Sequence, residues 1–331
     1  MISRRQVVLA IGAGALTVRH SSFAQQQSKV WRIGFLAARS HSTPSNPDVY
    51  YDAFVQGMRE LGYVEGKNLV IEWLGAEEKY DRLPALAAEL VGRKPDVLVT
   101  AGTPATRALQ LATRVIPVVA VANIDPVGSG FAESLSRPGG NITGMSQLTV
   151  GVSSKHLELL TRMVPGVSRV ALLLNPDNAA NASIAVTVQA AAQSAGLRLL
   201  RVEARSLEEI ERGFVTMKRE RSEAVIVASD GMFVGRRRQI ADLLTKNRLP
   251  SIFPFPEDVE AGALMSYGVN LAEIYRRGAA YVDKIFKGAK PGDLPIEQAS
   301  KFELVINMKT AKALGIKVPN LILVQATKVI E

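Results

Sequence analysis

PDVLVTAGTPATRALQLATRVIPVVAVANIDPVGSG, residues Pro95 to Gly130, reads as strand, polar loop, helix, strand and polar loop, and the rest of the chain is arranged around it. The run Val97 to Thr100 is short, apolar and rich in β-branched residues, as a strand buried on both faces should be. Gly102 lets the backbone turn, Thr103 suits an N-cap, and Pro104 stands at the first helical position, where a missing N–H costs nothing. The helix carries Ala105, Leu109 and Ala112 on one face and stops before Pro117, which opens a second buried strand over Val118 to Ala122. In an open parallel sheet, ligands bind outside the carboxyl ends of the strands, so Gly102 to Thr103 and Asn123 to Asp125 are neighbouring site candidates. The competing reading leaves Thr103 only as a cap and Asp125-Pro126 only as a turn.

The same alternation extends in both directions. Upstream, Ile33 to Ala37 and Leu69 to Trp73 read as strands, and Asp52 to Leu61 and Leu83 to Val91 as amphipathic helices, giving β-α-β-α-β-α-β for the first half. Downstream the order repeats: strands at Val170 to Leu174, Leu197 to Val202, Ala224 to Ala228 and Ser251 to Phe255, with helices at Ser183 to Ala195, Leu207 to Arg219 and Gly235 to Lys246. The landmarks Ile33, Gly62, Val97 and Pro117 recur as Val170, Gly196, Val225 and Pro250 at a near-constant interval, which predicts two lobes of one topology. Between the halves, the turn cluster Pro138 to Gly144 predicts a first crossing. Ala263 to Val269 then returns as a strand, Glu273 to Lys287 is a helix, and Phe302 to Asn307 with Met308 to Leu314 forms a last strand and helix ended by Gly315. The expected fold is α/β, with two doubly wound Rossmann-like lobes joined by a three-crossing hinge. Residues 29–144 plus 268–299 make lobe 1, and 145–267 plus 300–331 make lobe 2.

A chain of 331 residues, 47% hydrophobic and 21% charged, is globular and long enough for two cores. Residues 1–24 read as an export signal: Arg4 and Arg5 precede the apolar run Val7 to Leu16, and Ser22-Phe23-Ala24 is a small-x-small cleavage site. Ser3-Arg4-Arg5 fits a twin-arginine route, and a general secretory signal fits nearly as well. The signal is too short for a stable span, so no membrane insertion is expected after its removal and the predicted location is the periplasm. Removing residues 1–24 takes away Arg4, Arg5 and Arg19 and no acids, so the formal charge falls from +9 to +6. That excess is spread out, without basic runs interleaved with aromatics, which argues against nucleic acid as a partner. With no cysteine, disulfides and a lipid-anchored N-terminal cysteine are excluded. The three histidines, His20, His41 and His156, show no metal-ligand spacing. Gly128-x-Gly130 lacks the third glycine of a dinucleotide fingerprint, and Ser153 and Ser154 near His156 sit in no nucleophile elbow, so neither a cofactor nor an enzyme is expected. The cluster Arg236-Arg237-Arg238 reads as the solvated face of a helix, with a transporter contact as the alternative.

Five motifs occur in order: Gly102-Thr103-Pro104-Ala105, Asp125-Pro126-Val127-Gly128, Arg137 to Gly144 (RPGGNITG), Gly262 to Gly268 (GALMSYG) and Phe302 to Ala311 (FELVINMKTA). Together they resemble the ABC-transporter substrate-binding protein family that includes tryptophan- and tyrosine-binding members, over essentially all of Lys29 to Glu331. The sequence departs from those members in the longer, more polar loop Ala38 to Asn46 and in Gly102, where alanine is frequent. The resemblance implies a type I periplasmic-binding-protein fold and an extracytoplasmic solute-binding protein, acting as a monomer. It would deliver a small polar organic ligand, an amino acid or organic acid, to the membrane permease of an ABC importer. Carried over residue by residue, Arg39 and Ser40 in the loop to Thr43, Thr103 and Asp125 should line the first lobe's wall. Asn175, Asp230 and Phe255 should line the second, and Tyr267, on a crossing strand, completes the ligand-binding set. Free N–H groups at the helix start at Thr103 would attract a carboxylate, while Asp125 or Asp230 would take an ammonium or hydroxyl. The rival readings are a ligand-sensing module for a membrane receptor and, from another class, an enzyme on a doubly wound scaffold.

Overall fold

The structure, a computed structural model, describes residues 29–40, 48–147 and 149–331. The export-signal expectation, His41 and the tip of the loop after the first strand lie outside the described residues.

In chain order the strands of the first half are β1 (Trp31–Ala37), β2 (Leu69–Gly75), β3 (Val97–Thr100), β4 (Val118–Ile124) and β5 (Ile142–Gln147), with helices α1 (Val49–Glu60), α2 (Leu83–Gly92) and α3 (Thr103–Ala112) between them. The second half runs α4 (Thr149–Met163), β6 (Arg169–Leu174), α5 (Ala180–Ser194), β7 (Arg198–Glu203), α6 (Leu207–Arg219), β8 (Ala224–Val227), α7 (Gly231–Gly235), α8 (Arg237–Lys246), β9 (Ser251–Phe253), α9 (Pro256–Glu260) and β10 (Met265–Val269). The tail adds α10 (Leu271–Phe286), β11 (Glu297–Gln298), β12 (Phe302–Asn307), α11 (Met308–Leu314), α12 (Asn320–Gln325) and β13 (Lys328–Ile330).

These strands form two sheets, ordered β11-β5-β4-β3-β1-β2 and β13-β12-β10-β9-β8-β6-β7. The first is parallel throughout, and the second is parallel except where β10 meets β12. The first five strands of each half therefore take the same order, second-first-third-fourth-fifth, which is the doubly wound duplication expected from the repeated landmarks. The chain passes between the sheets three times: after β5, after β10 and after β11. The first sheet keeps the chain to Gln147 and the second keeps it to Val269.

Alternation along the strands explains the layers. Ile33, Phe35, Val97, Val99, Val119 and Val121 point into one core, while Leu36, Leu98, Val118 and Ala120 point into another on the opposite face. Helices α1 and α10 cover the first face and α2 and α3 the second. The return of α10 to the first lobe needs close approach: a Cβ on Gly278 would lie 2.4 Å from Val121 Cγ1, and one on Gly57 of α1 would lie 2.4 Å from Arg276 O. The second sheet is built likewise, with Val170, Leu172 and Ile226 on one side and Ala171, Leu173, Val225 and Val227 on the other.

Candidate functional site

Parallel strands bring the loops at their carboxyl ends to one edge of each sheet, and in this chain the two edges face each other. The first lobe presents Ala38 to Ser40 after β1, Glu78 and Tyr80 after β2, Gly102 and Thr103 after β3, and Gln147 at the end of β5. The second presents Asn175 to Asn178 after β6, Ser229 and Asp230 after β8, and Pro254 to Glu257 after β9.

The lobes touch across this cleft. The Tyr80 hydroxyl donates to Asp230 Oδ1 at 2.8 Å and accepts from the Met232 N–H at 3.2 Å. Arg236 Nη2 donates to Glu78 Oε2 at 3.2 Å, and Arg237 Nη2 to the Tyr50 hydroxyl at 3.0 Å. Ser229 Oγ donates to Gln147 Oε1 at 3.4 Å. A Cβ on Gly231 would sit 3.2 Å from Ala38 Cβ, so the start of α7 rests against the loop after β1. Phe255, which follows β9, is buried in the core of the opposite lobe with Tyr50 and Tyr275.

Asp230 is the hub on the second lobe. Its Oδ1 accepts from Asn175 Nδ2 at 3.2 Å and from the Met232 N–H at 3.0 Å, capping α7, and its Oδ2 accepts from Asn178 Nδ2 at 2.9 Å. Burial raises its carboxyl above the ordinary range against the pull of these donors.

A cavity of about 330 Å³ lies beside this contact, walled by Arg39, Ser40 and Asp48 of the first lobe and by Arg237, Arg238 and Glu257 of the second. Arg39 is buried, pairs with Asp48, and donates from Nη1 to the Tyr275 hydroxyl at 2.9 Å. Its guanidinium lies 5.3 to 5.8 Å from the ring centres of Tyr275, Tyr50 and Trp73, an aromatic surround that offsets the cost of burying a cation. Burial raises the Glu257 carboxyl and pushes Asp258 up to about 7, with Arg237 partly opposing both.

Of the eight ligand residues expected from the sequence, Arg39 and Ser40 line the large cavity, and Asn175 and Asp230 bond to each other at the lobe contact. Phe255 lines a small void with Asp230 and Asp258. Thr103 is buried with its Oγ1 unpartnered, at the start of a helix whose N-cap, Gly102, supplies no side-chain bond. Tyr267 sits at the crossing, stacked on Phe302, with its carbonyl 2.5 Å from His156 Nε2. Asp125 is not brought to this group: it is exposed at φ 46°, and its Oδ1 accepts from the Gly128 N–H, closing its own turn. Buried Asn123, two residues earlier, faces Thr106 instead, 2.9 Å from its hydroxyl.

Sequence reasoning missed Tyr80, Asn178, Arg237 and Glu257. The arginine cluster is not a solvated face, since Arg236 and Arg237 both reach the other lobe. The available signal was electrostatic: cations opening a helix oppose its dipole and need another reason to be there.

The family model for the ABC transporter substrate binding protein matches residues 41–330. The chain belongs to the ABC transporter substrate-binding protein family. This substrate-binding protein is 24% identical over 266 residues to the tyrosine-binding protein of Clostridioides difficile, covering 80% of this chain and 76% of that one. Among solved structures, a conserved domain protein from Vibrio cholerae superposes with TM-score 0.84 at 29% identity, covering 91% of this chain and all of that one. The ABC domain from Streptococcus pneumonia in complex with L-Trp superposes with TM-score 0.82 at 28% identity over 91% of this chain and 99% of that one. The fold is the two-lobed type I periplasmic-binding-protein fold. No helix among the described residues of this substrate-binding protein is long and apolar enough to cross a membrane.

Proposed function

We propose that this substrate-binding protein is the exported, non-enzymatic capture component of an ABC importer. It takes a small polar organic molecule, an amino acid or organic acid, into the interlobe cleft and presents it, as a periplasmic monomer, to a membrane permease. The observation that carries this reading is the 330 Å³ cavity walled from both lobes, of a size for a small ligand. The relatives named for tyrosine binding and solved with L-Trp support the amino-acid class. In this reading the two lobes rotate about the three crossings, after β5, after β10 and after β11. Arg39, Ser40, Thr103, Asn175, Asp230 and Phe255 face the ligand, with Tyr267 at the pivot.

Thermal-shift screening of the purified protein against amino acids, aromatic acids and dicarboxylates tests the reading. A ligand at 100 times its Kd adds about 2.7 kcal/mol of stability, a readily measured rise in Tm. No shift with any small molecule, alongside turnover of one of them, would replace binding with catalysis.

A further inference from the structure

The first turn of α9 carries two adjacent carboxylates, Glu257 and Asp258, into the contact between the lobes. Asp258 is buried and Glu257 half-buried. Phe255, just before them, is buried in the first lobe's core with Tyr50 and Tyr275, so this turn is covered by the opposite lobe. Arg237 of α8 stands with Nε 3.6 Å from Asp258 Oδ1 and donates from Nη2 to the Tyr50 hydroxyl of α1, which donates in turn to Glu257. Arg39, after β1, is paired with Asp48. The neighbouring charges are engaged elsewhere or lie in solvent: Glu78 pairs with Arg236, Glu260 with Lys328, Glu303 of β12 accepts from Asn270, and Arg238 is exposed.

Among the described residues, the enclosed set therefore holds two guanidinium groups, Arg39 and Arg237, against three carboxylates, Asp48, Glu257 and Asp258. Buried charges persist when they are matched, and an unmatched carboxylate in a poorly hydrated place neutralises by taking a proton. Arg39 answers Asp48, which leaves Arg237 to face both neighbours on α9. Glu257 Oε2 is buried without a hydrogen-bond partner, so ionising that side chain leaves charge on an oxygen that no donor solvates. Burial accordingly raises the Glu257 carboxyl and carries Asp258 up to about 7, with Arg237 opposing both. With the lobes apart, Tyr50 and the core around Phe255 withdraw, water reaches the turn, and each carboxyl returns toward its ordinary range of about 4. We propose that closing the lobes takes up a proton from solvent, held by the Glu257–Asp258 pair, so that ligand capture is linked to pH. The linkage rests on closure over the interlobe cleft being the binding step. The proton belongs to the pair, because interacting carboxyls titrate together. A group whose pKa rises on closing favours the closed state in acid: the advantage is complete below about 4 and is lost as pH rises through about 7.

The test is calorimetry of the full chain with the tightest-binding of the twenty L-amino acids, at pH 6 and pH 8, in phosphate and in imidazole. These buffers differ in heat of ionisation, so the difference in observed heat counts protons. Uptake of about one proton per ligand at pH 6 and close to none at pH 8 is expected, with affinity falling by about tenfold or more between pH 5 and pH 8. Asp258→Asn leaves Glu257 alone to Arg237, so uptake at pH 6 should vanish and affinity should lose its pH dependence, a readout that a merely structural role would not move. Glu257→Gln should abolish uptake in the same way, and it serves if the first variant folds poorly. Ligand-free protein with a dye on each lobe gives a second reading: the mean separation should lengthen from pH 5 to pH 8 in the wild type and stay constant in Asp258→Asn. No uptake at pH 6 with an amino acid that binds, or uptake that survives in both variants, overturns the linkage while the interlobe reading stands. If no amino acid binds, a dye separation independent of pH overturns it. The proposed function falls separately, when no compound of the wider screen shifts the melt.

Discussion

Replacing Tyr80 with phenylalanine removes one oxygen from the contact between the lobes and leaves each lobe's core intact. The lost hydroxyl donates to Asp230 Oδ1 at 2.8 Å, and that oxygen keeps Asn175 and the Met232 N–H. A hydrogen bond to a charged group contributes about 1.5–3 kcal/mol. The bond exists only when the lobes meet, so its loss falls on the closed state and shifts the open-closed equilibrium about ten- to 150-fold toward open. Ligand must then supply the difference, and affinity for the tightest-binding amino acid should fall by a similar factor wherever the wild type is mostly closed. The assay pairs calorimetry with single-molecule energy transfer between a dye on each lobe. Lower affinity, a longer mean dye separation without ligand and an unchanged far-ultraviolet spectrum are expected. Wild-type affinity with wild-type dye separation would refute the idea that Tyr80 and Asp230 hold the closed state.

Other consequences concern single residues. Asp125→Ala places alanine at a positive φ and removes the bond to the Gly128 N–H, so denaturant unfolding should show a loss of about 1–2 kcal/mol while calorimetry shows unchanged ligand affinity; a large loss of affinity would move Asp125 into the binding site. Asp258 has its folded pKa raised by burial to about 7 from an ordinary 3.8, so its contribution to stability is fully present below 3.8 and is lost as pH rises through 7. Melts at pH 5 and pH 8 should therefore show Asp258→Asn gaining on the wild type as pH rises. His156 behaves oppositely: burial pushes it down to about 4 from 6.5, so its stabilising share is present above 6.5 and is lost as pH falls through 4, and His156→Gln should close the gap to wild type in acid. Gly268→Ala would put a Cβ 1.9 Å from Pro254 O, forcing β9 and β10 apart at a crossing, and thermal melts should show a cost of about 1–3 kcal/mol.

The stretch Val97 to Ala112 was legible residue by residue, because a strand buried on both faces admits only apolar side chains and Thr103-Pro104 marks a helix start. Duplication was legible for the same reason: Val225 to Val227 repeats the pattern of Val97 to Val99 in the same place in its sheet. Strand β5, ITGMSQ, shows in the sequence only as part of a turn cluster leading to a crossing, since its burial comes from neighbours rather than from an apolar sequence. The strand expected over Ser251 to Phe255 ends at Phe253, and Pro256 followed by Glu257 and Asp258 is the helix-opening signal that cuts it short. Asp230 and Thr103, which we propose face the ligand, each stand three residues past the end of a strand and follow from that count. Asp125 shows the limit of that rule, because an aspartate three residues before a glycine also makes a turn. The approach of Arg39 to Arg237 depends on how two lobes close, and no local pattern encodes it.

Crystals of the protein grown with its tightest-binding amino acid would put the ligand's position to the test. Difference density should fill the cavity between Arg39 and Arg237, with the lobes in contact through Tyr80 and Asp230. Density outside the cleft, for example in the groove between Arg107 and Gly140 on the first lobe, with the interlobe cavity holding only water, would contradict the account.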